Sequence, residues 1–144
     1  MAIAPTSDIA GTGWNPSSAG AGLYTMVDEA AADDADYVVS PVPSQELVFG
    51  IAPQPAGNYT KTLRLAVSHG SAVVTYSLLD AGGAQVGAAA PVTITTTPTT
   101  YTLELTTTGT AARERLVVAT GLPAGYLSLD GGVLSLDGGI LGLT

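Results

Sequence analysis

The chain has 144 residues, 46% apolar and only 11% charged, with twelve acids against four bases, a net charge of −8 and no cysteine. That length fits one domain with a core of its own; the scarcity of cations excludes a basic stripe for phosphates or for an anionic membrane surface, and the missing thiols exclude disulfides, zinc–thiolate sites and cysteine nucleophiles. A mean hydropathy of +0.36 with so few charges predicts that some apolar surface is covered by other subunits.

Residues 1–22 are rich in Gly, Pro and Ser, show no sustained period of two or 3.6, and read as an extended arm with one large anchor, Trp14. Trp14 is expected either to plug one end of the core or to contact a partner subunit, where tryptophan is enriched. The arm carries neither the basic start nor the apolar stretch of a secretory signal, and no run in the chain reaches the roughly 18 apolar residues of a membrane span. Leu23 to Ala32 can form a short helical turn, and a strand follows at Tyr37–Val39, ended by Pro41 and Pro43. Leu47 to Ile51 is a fully apolar strand bounded by Pro53 and Pro55, suited to the inside of a sandwich.

The clearest pattern runs from Lys61 to Val86. Leu63, Leu65 and Val67 fall on one face while Thr62, Arg64, Ala66 and Ser68 fall on the other. His69-Gly70-Ser71 interrupts the run, Val74, Tyr76 and Leu78 resume it, and Asp80-Ala81-Gly82-Gly83 supplies a hairpin turn. Val92 to Thr97 alternates, Pro98-Thr99-Thr100 turns, and Tyr101, Leu103 and Leu105 face inward on the next strand. Arg115 to Ala119 is the last strand of the body, closed by Gly121 and Pro123. About eight short strands at this spacing predict an all-β fold, an antiparallel β-sandwich.

The C-terminal segment differs in kind: YLSLDGG from Tyr126, VLSLDGG from Val133 and ILGLT from Ile140 repeat with a period of seven. Two adjacent glycines per repeat exclude a coiled coil, so each unit reads as a four-residue strand with an Asp-Gly-Gly turn. The leucine pairs 127/129, 134/136 and 141/143 each share one face. Six leucines cannot offset the ordering of so many backbones. This tail is therefore expected to be ordered only against the body, copies of itself or a partner, with Trp14, Leu127, Leu129, Leu134, Leu136, Leu141 and Leu143 as the contact residues. The predicted organisation is an arm over 1–22, a sandwich body over 23–123 and a repeat tail over 124–144.

Candidate chemistry is sparse. His69, the single histidine, stands at a strand-to-turn junction with no recognisable serine or acid motif around it, so it reads as a turn residue. No glycine-rich phosphate loop follows a strand and opens a helix. Asp28, Glu29, Asp33, Asp34 and Asp36 place five acids in nine residues, and Asp33, Asp34 and Asp36 are the candidate ligands for calcium, against a solvated acidic turn; no other cofactor is implied. The few cations, Lys61, Arg64, Arg113 and Arg115, are expected to pair within the chain or to dock an acidic neighbour.

The layout GWNPSSAG, LYTMVDEAAADDADYVVSP, LRLAV, VTYSLLDAGGAQVG, TTYTLELT and RLVVATGL, over roughly residues 14 to 120, resembles small jelly-roll virion proteins of tailed bacteriophages, which accompany heads or tails as decoration, fibre or spike-base components. The terminal SLDGG repeat lies outside that likeness and is similar to short-strand repeats in trimeric phage fibres. The resemblance implies a non-enzymatic structural protein in the virion, assembled in the host cytoplasm. The implied partners are copies of itself, a trimer favoured, and the major capsid or another virion protein, without nucleic acid or membrane. Capsid decoration is the leading expectation. A carbohydrate-binding module of a head or tail fibre, with Tyr59 and Tyr24 as sugar platforms, is the alternative.

Overall fold

The structure, a computed structural model, describes residues 3–11, 13–18, 20–27, 37–39, 46–67 and 70–118. Among these, the alternation of apolar and polar residues produces nine strands: β1 (Pro5–Ala10), β2 (Asn15–Pro16), β3 (Val38–Val39), β4 (Glu46–Gln54), β5 (Gly57–Leu65), β6 (Ser71–Leu79), β7 (Ala90–Thr95), β8 (Thr99–Thr107) and β9 (Ala111–Val118). One 3-10 turn, Tyr24–Met26, lies between β2 and β3. A five-stranded antiparallel sheet has the order β1-β4-β9-β6-β7, and β5 with β8 makes a separate two-stranded ribbon. β2 and β3 pair in a minor ribbon of their own.

The two main layers pack face to face as a β-sandwich. Tyr59 of β5 and Leu105 of β8 meet Ile51, Tyr76 and Leu78 of the large sheet in one buried cluster. Val67, Val74, Val92 and Ile94 make a second, and Leu103 and Leu116 pack against both. β4 lies between β1 and β9, and its unbroken apolar run matches its burial: Leu47 to Ile51 are all buried, at both alternating parities, so both faces of this stretch are covered. β4 also runs past Pro53, which sits in the irregular stretch between the Gly50↔Arg113 and Gln54↔Ala111 pairs, where no regular ladder needs its missing N–H.

Two features differ from the sequence expectation. The Lys61–Val86 unit is not a succession of hairpins, because β5 and β6 lie in opposite layers: β5 pairs with β8 over nine residues, while β6 pairs with β7 and β9. The chain crosses between sheets after β5, where Val67 N–H donates to Thr95 O at 2.9 Å. The Asp80 turn does form: Asp80 Oδ1 accepts from Gly82 N–H (2.8 Å) and Ala84 N–H (2.9 Å), and Gly83 takes a φ of +92°. The strand beyond it starts only at Ala90.

The second difference is in the N-terminal arm, whose residues Pro5–Ala10 form β1 at the edge of the large sheet. Its pairing with β4 shifts register between Pro5 and Ser7 and again between Asp8 and Ala10. Two bulges in six residues erase the period of two that would mark a strand in the sequence. Asp8 then fastens the following segment, its carboxylate accepting from Leu23 N–H at 2.9 Å and Tyr24 N–H at 2.7 Å.

Candidate subunit interface and the buried charge cluster

The sandwich encloses one set of ionisable groups. On β5, Lys61 has the same parity as Tyr59, Leu63 and Leu65, and therefore points between the sheets. On β9, Glu114 shares its face with Leu116, opposite Leu78 of β6 and Phe49 of β4. Lys61 Nζ lies 2.9 Å from Glu114 Oε2, with side chains only 8% and 4% exposed. Tyr76 of β6 donates its hydroxyl to the same Oε2 at 2.6 Å, and Lys61 Nζ also donates to Ile3 O at 3.1 Å. The ammonium stands 5.9 Å from the Tyr76 ring centroid. Burial first, then the negative charge of Glu114 and the hydrogen bond to it, hold the Tyr76 phenol well above its usual range. Enclosure shuts a substrate out of this cluster, so what it can do is join the two layers and the segment before β1.

The remaining cations lie on outer faces. Arg115 reaches Glu46 at 3.6 Å, Ser77 Oγ at 3.2 Å and Gln85 Oε1 at 3.3 Å. Arg64 Nη1 donates to Thr100 Oγ1 at 3.4 Å across the β5–β8 ribbon. Lys61 and Arg115 thus pair within the chain, and of the alternatives read from the sequence they follow the intramolecular one.

The surface feature that stands out is apolar. Among the described residues, the exposed large hydrophobic side chains are Ile9 (46% exposed), Val27 (36%), Tyr37 (52%) and Val39 (48%). All four belong to the N-terminal third: β1, the residue after the 3-10 turn, and the β2–β3 ribbon with its flank. These segments are tied together by Asp8, by the donation of Ser17 N–H to Tyr37 O (2.8 Å), and by Ser17 Oγ accepting from Tyr37 N–H (3.1 Å). Trp14 is half-buried in the same region, and its Nε1 is enclosed with no hydrogen-bond partner among the described residues.

Of the residues singled out in the sequence, Trp14 is therefore placed beside this surface. The acidic cluster from Asp28 to Asp36, including the calcium candidates Asp33, Asp34 and Asp36, lies outside the described residues, as do His69 and the leucines of the C-terminal repeat. Among the described residues no group of three His, Cys, Asp or Glu side chains is placed to hold a metal ion. Tyr59, expected as a sugar platform, is instead 4% exposed, with its hydroxyl donating to Pro55 O. Sequence reasoning missed the Lys61–Glu114–Tyr76 cluster, although the inward parity of Lys61 with Leu63 and Leu65 was there to be read. No family model and no curated protein matches the chain.

Proposed function

We propose that the protein is a structural component of a tailed-bacteriophage particle, a decoration protein of the jelly-roll kind that stabilises the capsid by burying apolar surface between subunits. The observation that carries this reading is the concentration of Ile9, Val27, Tyr37 and Val39 on the N-terminal surface. Exposed apolar side chains scattered singly are ordinary, but a set confined to segments bound to one another is the form that a docking surface takes. The acidic, weakly charged chain suits burial against apolar neighbours better than electrostatic capture. The partners are further copies of this chain, arranged as a trimer, and the major capsid protein.

The test is co-sedimentation of the purified chain with capsids that lack it. The wild-type chain binds and raises the capsid melting temperature, and a variant with Ile9→Asp and Val39→Asp does neither. A wild-type chain that stays in the supernatant overturns the reading. The alternative of a carbohydrate-binding module loses one of its two platforms, because the Tyr59 ring is enclosed in the core.

A further inference from the structure

Among the described residues, the two main layers of the sandwich offer four outer strand edges, and three of them are guarded. β1 carries two register shifts. β7 is six residues long and contains Pro91. β5 points the charged Lys61 into the core. Bulges, prolines and inward charges are the devices by which natural sheets discourage a further strand. β8 has none of them: its pairing with β5 runs without irregularity from Thr99 to Thr107, its sequence TTYTLELTT has no proline, and its one charge, Glu104, faces outward.

Part of that edge is already closed. Gly87, at a φ of +131°, brings the β6–β7 loop against the backbone of Thr106 and Thr107, and Val86 packs on the cluster containing Leu105. Leu105 is buried accordingly, while Tyr101 and Leu103, further from the loop, remain half-buried. Among the described residues, the stretch left without a further strand is thus Thr99 to Leu103, about the length of one short strand, with apolar side chains at alternate positions facing inward.

We propose that the C-terminal repeat of the same chain supplies the strand that pairs with this stretch of β8. Each repeat unit is four residues of strand pattern in which two leucines occupy alternate positions, matching the spacing of Tyr101 and Leu103 in a cross-strand arrangement. The leucines then extend the core face beside Tyr101 and Leu103. The chain leaves the described body at Val118, which packs on the same cluster as Tyr101 and Leu103. Residues 119–125 can span up to about 25 Å, more than twice the roughly 10 Å between packed sheets. The repeat therefore starts within reach of β8, and intramolecular pairing has the advantage of a high effective concentration. Neither β8 nor the tail enters the argument for the N-terminal docking surface, so this inference and that reading fail separately.

Residue-resolved amide exchange on the full chain tests it. The comparison is a full-length variant in which Leu127, Leu129, Leu134, Leu136, Leu141 and Leu143 are all replaced by Ser. In the wild-type chain, amides of Thr99 to Leu103 that point away from β5 exchange about 100-fold slower than in the variant, and the amides of β9 exchange alike in both, which shows that the body is intact. Equal exchange of those β8 amides in both chains overturns the proposal. So does protection that rises with protein concentration, because the strand then comes from another copy.

Discussion

Lys61 Nζ and Glu114 Oε2 meet at 2.9 Å across the gap between the two layers of the sandwich, each on a side chain less than a tenth exposed. Breaking such a buried pair leaves one charge uncompensated in a medium that solvates it poorly. Glu114→Ala is expected to destabilise the fold by about 3–5 kcal/mol, measured by chemical denaturation. Replacing both partners together, Lys61→Met with Glu114→Leu, is expected to recover most of that loss, because no unpaired charge then remains. If the double variant is as unstable as the single one, the pair itself is not the cause.

Tyr76 gives the cluster a pH dependence. Its phenol has a raised pKa in the folded chain, so the folded state favours the protonated form relative to the unfolded chain. The associated stability is fully present below the unfolded value of about 10 and is lost as pH rises through the higher folded value. Tyr76→Phe is expected to cost about 1.5–3 kcal/mol at neutral pH by removing a hydrogen bond to a carboxylate, and to flatten the alkaline limb of the stability profile above pH ~10. A profile with the same alkaline slope in both chains would contradict this assignment.

Gly87 is a position where no side chain fits. A Cβ there would collide with the Thr106 carbonyl, and the φ of +131° is one that other residues rarely adopt. Gly87→Ala is expected to cost about 1–3 kcal/mol in backbone strain alone, with the collision adding to it. The readout is the thermal midpoint together with faster amide exchange at the C-terminal end of β8.

Asp80→Ala removes the acceptor of two backbone N–H groups in the turn after β6. A loss of about 1 kcal/mol per hydrogen bond is the expected scale, while Asp80→Asn, which keeps one acceptor oxygen, should retain most of the stability. Equal losses for Ala and Asn would show that charge rather than acceptance matters there.

Sequence patterning made the strands with clean alternation legible. Leu63 and Leu65, Val74, Tyr76 and Leu78, and Tyr101, Leu103 and Leu105 face the core as their periods indicate, and the apolar run from Leu47 to Ile51 is interior. β1 was hidden because its two bulges break the alternation on which recognition depends. The assignment of β5 and β6 to opposite layers was hidden for a different reason: a local turn at Gly70 is compatible with either a hairpin or a crossing, and only long-range pairing decides. Glu114 stands between Arg113 and Arg115 in the sequence, where it resembles part of a solvated charge run. Its burial follows from the parity it shares with Leu116. The apolar N-terminal surface was foreshadowed by Trp14 alone, since Ile9 and Val39 become an exposed set only once β1 and β3 are in place.

The central claim is that the N-terminal surface joins subunits, and the most direct measurement is the mass of the full-length chain in solution by sedimentation velocity over a range of concentrations. The wild-type chain is expected to sediment as a trimer. The variant with Ile9→Asp and Val39→Asp is expected to sediment as a folded monomer with a melting temperature within a few degrees of the wild type, as exposed sites allow. A wild-type chain that is monomeric at every concentration, or a variant that keeps the wild-type mass, would contradict the account.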